Sequence, residues 1–221
     1  MLTQEQIEKN FEEFIGLIEN NIKRDGVDKL VVWLKNKDTK TAPASGKYHC
    51  AYEGGLVEHS LNVYRRLKKL LQLEYPRVLD GVDNNGVEKY KETCPYSEET
   101  ITLVSLLHDI SKIGYYEIGE RNVKDEKGNW TKAQFYQAKD QSKRLLFASH
   151  SENSLYMTSK FLKLEYEEEL AIRYHMGGFD SSEGVVDTKN ISAVYAKCPL
   201  ALLLHTADIC CTYIDEKGGN E

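Results

Sequence analysis

Ile101-Thr-Leu-Val-Ser-Leu-Leu-His108-Asp109-Ile-Ser-Lys112-Ile-Gly114 runs an apolar helix straight into an imidazole and a carboxylate on adjacent residues. Ser97 is a suitable N-cap for that helix, and Glu98 and Glu99 complement the positive end of its dipole. A helix this hydrophobic has little reason to end on two strong metal ligands unless one centre holds both. Alone the pair decides nothing. Its meaning depends on where the other histidines and a late aspartate fall.

Outward from this stretch the chain reads as helix after helix. Thr3-Gln-Glu-Gln6 has the form of a capping box and opens an amphipathic helix with Ile7, Phe11, Phe14, Ile15 and Ile18 at helical spacing. A shorter helix spans Val27 to Lys35. A loop with Pro43 and Gly46 follows, and Gly54-Gly55 introduces a long helix through Leu56, His59, Leu61, Val63, Leu67 and Leu71. The segment from Glu74 to Tyr96, with Pro76, Gly81, Asn84-Asn85-Gly86 and Pro95, is expected to be loop and short turns. Tyr115 to Ile118 and Trp130 to Tyr136 flank the turn-rich Lys124 to Asn129, the best β-hairpin candidate in the chain.

Ser149-His150-Ser151-Glu152 has the form of a second capping box, so His150 falls in the first turn of a helix reaching Leu162. Glu167 to His175 reads as a further helix, stopped by Gly177-Gly178. A loop from Phe179 to Asn190 leads to a short helix and then to an apolar helix around Leu200 to Ile214. The expected fold class is all-α: a single helical domain over residues 1–221. Residues 1–42 form an N-terminal helical extension and residues 115–137 a small β-hairpin insertion.

The length, 221 residues, suits one large domain, and an apolar content of 41% suffices for its core. A formal net charge of −6 weighs against broad electrostatic capture of nucleic acid, which is not favoured as a partner. The N-terminus has no basic start followed by an apolar core, and no run approaches the ~18–20 apolar residues of a membrane span. No membrane association is expected. The five cysteines are irregularly spaced without a C-x-x-C pair, as expected of reduced thiols in a cytoplasmic protein.

The six histidines carry most of the chemical information. His59 lies on a mostly apolar helix, His108 and Asp109 end a second, His150 begins a third and His175 ends a fourth. Asp208 sits inside Leu202-Leu-Leu-His-Thr-Ala-Asp208-Ile, where a bare carboxylate would cost several kcal/mol. Any one of these histidines could be an ordinary hydrogen-bonded core residue, and Asp208 alone could pair with a lysine or arginine. The joint pattern, with separate helices each offering an inward imidazole or carboxylate, points to a divalent metal.

The stretches His49-Cys-Ala-Tyr-Glu-Gly-Gly-Leu-Val-Glu-His59, Leu106-Leu-His-Asp-Ile-Ser-Lys-Ile-Gly114 and Leu204-His-Thr-Ala-Asp208 resemble the HD-domain superfamily of metal-dependent phosphohydrolases. The likeness runs from about Pro43 onward. The run from His150 through Tyr174-His-Met-Gly-Gly-Phe179, with the preceding hairpin, is similar to a branch common in Firmicutes and their phages, usually described only as hydrolases. The resemblance implies that His59, His108, Asp109 and Asp208 bind a first metal. His150 and His175 would complete a second site, with Asp109 bridging both. Two divalent ions are therefore expected, from among Fe, Mn, Ni, Zn and Mg. Dinuclear relatives often have glycine before the third histidine, where this chain has Ser149. A mononuclear centre, with His150 and His175 on substrate phosphate, is the alternative.

Lys112 follows Asp109 by three residues, and its ammonium could neutralise a phosphate or donate a proton to the leaving oxygen; a salt bridge to Asp109 is the simpler alternative. The HD-x-x-K pattern of phosphodiesterase relatives favours the catalytic role. His205, one turn before Asp208, would either hydrogen-bond that carboxylate or pack in the core. His49 and Arg144 are candidate substrate-binding residues, although a companion histidine of many relatives is Cys50 here. The aromatics of the hairpin pack it against the helical body or stack on a nucleobase. By resemblance the chain is a metal-dependent phosphoric ester hydrolase acting on a nucleotide or other phosphate. Two other classes share the ligand set: a di-iron oxygenase, and a nucleotide-binding sensor without catalysis.

Overall fold

The apolar stripes laid out at helical spacing meet in one cluster, contributed by helices from both ends of the chain. The computed structural model describes residues 1–143, 149–180 and 188–216. Helix α1 (Gln4–Asn21) opens on a capping box, with Thr3 Oγ1 accepting from the Gln6 amide and Gln6 Oε1 accepting from the Thr3 amide. It buries Ile7, Phe14, Ile15 and Ile18, and α2 (Val27–Lys35) buries Leu30, Val31 and Leu34. All of these except Ile7 join the same cluster as the later helices, so the N-terminal helices contribute to the common core.

Helix α3 (Gly55–Glu74) starts abruptly from a left-handed Gly54, at φ +80°. A Cβ on Gly55 would lie 2.0 Å from the Cys50 carbonyl oxygen, so only glycine lets the 41–54 loop approach the helix start this closely. Helix α4 (Glu98–Leu107) is capped by Ser97 and is buried from Ile101 to Leu107. Helices α5 (His150–Ser159), α6 (Tyr166–Tyr174), α7 (Thr188–Lys197) and α8 (Pro199–Cys210) complete the bundle. Helix α3 packs on α4 and α8, α6 on α5 and α8, and α1 on α3 and α4.

Several boundaries differ from expectation. Residues 78–91, expected to be loop, form an antiparallel hairpin of β1 (Val78–Val82) and β2 (Glu88–Lys91). Every residue of both strands is exposed, so no alternation of burial marked them. The turn is closed by Asp83 Oδ1, which accepts from the amides of Asn85 and Val87. The second hairpin forms within one residue of the expected span, its strands reaching further toward the turn: β3 (Tyr116–Lys124) pairs with β4 (Trp130–Ala138) from Tyr116↔Ala138 to Lys124↔Trp130. Among the described residues the fold is thus mostly α with two hairpins.

Helix α5 ends at Ser159 rather than Leu162, and only half of its expected capping box forms. Ser149 Oγ accepts from the Glu152 amide, while the Glu152 carboxylate pairs with Arg173 at 2.8 Å. The expected loop from Phe179 to Asn190 begins as a 3-10 turn (Gly177–Asp180); residues 181–187 lie outside the described residues, and α7 begins at Thr188. After α8 the chain winds a single π-helical turn, Cys211–Asp215. No single helix among the described residues is long and apolar enough to cross a membrane.

One buried ion pair ties the two halves together. Arg24, between α1 and α2, meets Glu168 of α6 with both terminal nitrogens, at 2.5 and 2.7 Å. The Thr100 hydroxyl and the Glu165 amide complete the shell of a carboxylate that is 1% exposed. Burial pushes the Glu168 carboxyl up, but its hydrogen bonds from Arg24, the Glu165 amide and Thr100 outweigh this and hold it below the ordinary carboxylate value. A depressed folded-state pKa stabilises the fold above the unfolded value, and the contribution is lost as pH falls through the folded one. Glu168→Gln should therefore lower the unfolding free energy by about 3 kcal/mol at neutral pH in a denaturant titration. The same substitution should flatten the loss of stability seen for the unsubstituted protein below about pH 5.

Candidate metal centre

Four helix ends and one helix interior bring six side chains to one point. The start of α3 is docked by the Leu56 amide on the Ala42 carbonyl, and His59 follows one turn later. Helix α4 ends at His108, and the backbone turns at Asp109 into a 3-10 turn, Ile110–Lys112. That change of direction lets two adjacent residues face the same centre. His150 is the first residue of α5, His175 the C-cap of α6, and Asp208 lies near the end of α8. His59, His108 and His175 are fully buried, whereas the His150 side chain is 26% exposed.

The carboxylate of Asp109 divides the set. Its Oδ1 lies 2.5 Å from His150 Nε2 and 3.5 Å from His175 Nε2. Its Oδ2 lies 3.5 Å from His108 Nε2, 3.7 Å from His59 Nε2 and 2.5 Å from Lys112 Nζ. Asp208 Oδ1 stands 3.1 Å from His59 Nε2. The potential donor atoms of His59, His108 and Asp109 lie within 4.8 Å of one another, as do those of His108, His175 and Asp208, and those of Asp109, His150 and His175.

The outer ring nitrogens determine what the inner ones present. His108 Nδ1 is 2.7 Å from the Ser105 carbonyl, and His175 Nδ1 is 2.7 Å from the Ile172 carbonyl. A carbonyl only accepts, so Nδ1 carries the hydrogen in both rings, and each ring in its neutral form points the Nε2 lone pair inward. His150 Nδ1 meets the Ser111 hydroxyl at 2.7 Å, and Ser154 in turn donates to Ser111. The buried Nε2 atoms of His59, His108 and His175 have no hydrogen-bond partner; the short approach of His59 to Asp208 lacks hydrogen-bond alignment. Each such orphan costs about 1–3 kcal/mol, so three cost several unless a Lewis acid takes the lone pairs. Three orphaned imidazole nitrogens beside two carboxylates fit a first-row divalent metal.

The electrostatics of the centre turn on its two buried carboxylates. Burial holds His108 neutral, with its pKa pushed down to about 3, and lowers His150 in the same way. Burial works against ionised Asp109 and Asp208 too, but Lys112, His108 and His150 bring Asp109 well below the carboxylate range, and His59 does so for Asp208. Burial also opposes charge on His59, yet Glu216 and Asp208 raise it to about 10; Asp109 similarly raises His175. The centre is a buried anionic pair balanced by the chain's own cations.

The flanking candidates separate into distinct groups. Lys112 forms the salt bridge to Asp109, and Asp109 with Tyr116 keeps its ammonium protonated against burial. His49 lies beside His59, ring centroids 4.7 Å apart, with both nitrogens buried and without a hydrogen-bond partner. Burial, His59 and Lys112 push its pKa down to about 4. Of the two alternatives for His205, the bond to Asp208 does not form: His205 Nδ1 donates to the His175 carbonyl at 2.6 Å, and its ring stacks on Tyr195. His205 therefore braces the backbone of a neighbouring ligand, not the carboxylate. Arg144 lies outside the described residues.

Two contributors had no sequence signature. Glu216 places both carboxylate oxygens 3.1 Å from His59 Nδ1, 157 residues away in sequence. In the run Asp215-Glu216-Lys217 it reads as solvated surface charge. Ser111 sits within the decisive motif, but only the packing of α5 shows that its hydroxyl meets His150.

Residues 56–212 match the family model of the HD domain, a span that holds all six converging side chains and leaves His49 and Glu216 outside it. No curated protein and no solved structure matches the chain.

If the His108 ring sits here as a ligand, it is a liability to the metal-free fold. His108→Leu should leave metal-free stability unchanged or raise it by about 1 kcal/mol, while reducing retained metal in elemental analysis. A loss of several kcal/mol would instead mark His108 as a packing residue.

Proposed function

Because this chain belongs to the HD-domain family, we propose that it is a metal-dependent phosphohydrolase with a two-metal centre. The observation that carries the reading is the convergence of three orphaned buried Nε2 atoms on a carboxylate whose two oxygens face different histidines. His59, His108, Asp109 and Asp208 would hold one ion, and His150, His175 and Asp109 the other. Asp109, common to both sets, would supply negative charge against the mutual repulsion of two neighbouring dications. When bound, such ions acidify water and neutralise phosphoryl oxygens.

The chain's own residues supply the remaining functions. The carbonyls of Ser105 and Ile172 keep His108 and His175 in the tautomer that leaves Nε2 free. Ser111 orients His150, the most exposed of the ligands, so this side of the centre faces an incoming substrate. Lys112, 13% exposed and protonated, adds a fixed positive charge for a phosphate and a proton for the leaving oxygen. His49 is a neutral imidazole beside the centre, suited to hydrogen-bond a phosphoryl or sugar oxygen. The substrate class is a nucleotide or other small phosphoester, and the five free cysteines accord with a cytoplasmic setting.

Elemental analysis of purified protein, followed by a monoesterase and diesterase panel with Mn, Ni, Mg and Fe, tests the proposal. His108→Ala and Asp109→Ala should abolish both metal retention and turnover. Full activity in either variant would overturn it, and substrate-dependent oxygen uptake by an iron-loaded sample would replace it with an oxygenase. Lys112→Ala should keep its metal and lose about a hundredfold in kcat. An unchanged kcat would reduce the lysine to a salt bridge.

A further inference from the structure

The four histidines of the centre are held from behind by different kinds of group. His108 and His175 donate to backbone carbonyls, and His150 meets a hydroxyl. His59 alone among them faces a full carboxylate, that of Glu216. The Glu216 side chain is 3% exposed, and Asn62, one turn beyond His59 on α3, donates to its Oε1 at 3.0 Å. Burying a carboxylate is costly unless its oxygens find donors, and here both are directed to residues of α3.

The backbone takes an unusual course to reach this point. After α8 the π-helical turn Cys211–Asp215 carries the chain round, and the Glu216 amide closes it on the Cys211 carbonyl at 3.0 Å. Arg66 pairs with Asp215 and clamps the same turn onto α3. Single π turns are rare and occur often at functional sites. This one swings an acidic side chain inward, next to the first histidine of the centre.

We propose that Glu216 is a positioning residue for the metal centre. By accepting the Nδ1 proton of His59 it aims the Nε2 lone pair toward Asp109 and Asp208. The negative charge also makes that imidazole a stronger donor than those held by neutral groups. The inference rests on the reading that the six converging residues bind divalent metal.

The test uses the full chain and cobalt(II) as probe, with affinity read by chelator competition and geometry by visible absorption. Glu216→Gln keeps a hydrogen-bond acceptor but removes the charge. It should weaken cobalt(II) binding by about 10- to 100-fold and shift the absorption bands. Asp215→Asn, which releases the turn from Arg66 while leaving His59 its partner, should bind cobalt(II) as the unsubstituted protein does. Unchanged affinity in Glu216→Gln, or an equal loss in both variants, overturns the inference and makes Glu216 a fastener of the turn. Should Glu216→Gln not fold, Glu216→Asp, which keeps the charge but shortens its reach, replaces it under the same two outcomes. If the unsubstituted protein binds no cobalt(II), manganese(II) or zinc(II), the underlying metal reading itself is overturned.

Discussion

A carboxylate that is 2% exposed, at the end of an apolar helix, constrains everything packed around it. Ionised Asp109 is tolerable there only because each neighbouring element brings a nitrogen: His59 from α3, His108 from α4, His150 from α5, His175 from α6 and Lys112 from the turn that follows. Desolvating one carboxylate costs several kcal/mol even after relaxation. The helices thus converge on a charged point as well as on each other. The position at a helix end also matters. Only a change of backbone direction between His108 and Lys112 lets adjacent residues share one target.

The N-terminal helices take part in holding the centre. Glu168 accepts the amide of Glu165 at the start of α6 and the guanidinium of Arg24 from the α1–α2 link. The helix held in this way ends on His175. His205 then braces the backbone at that end through the His175 carbonyl. One ligand is therefore fixed at both ends of its helix, by residues that never approach the metal position.

What was legible in the sequence followed local rules. The capping signals at Thr3 and Ser97, the bounds of α2 and the start of α3 all follow from patterns within a few residues, and the structure shows them. The six converging side chains were legible because imidazole and carboxylate are conspicuous on apolar helices. The β1–β2 strands were not, since a hairpin with no buried face leaves no period-2 pattern to detect. Helical spacing relates His205 to Asp208, while the bond it makes is to the end of another helix, which no local pattern reveals. Glu216 was hidden for a related reason. Its role depends on a π turn and on a residue 157 positions away, and neither has a sequence pattern.

The paired arrangement at His108 and His175 bears on how the centre is assembled during folding. Each ring occupies the C-cap of its helix and bonds the carbonyl three residues back, one of the last-turn acceptors every helix leaves unsatisfied. These two donors are aimed as soon as a single helical turn exists, with a loop-closure distance of three residues. His59 and His150 depend on partners 157 and 39 residues away. Half of the imidazole set is thus oriented by contacts of very low sequence separation, which form on the timescale of helix growth. The other half waits for the slow, long-range closure of the bundle. The centre thus draws its orientation from two ranges of contact, one within a helical turn and one across the whole bundle.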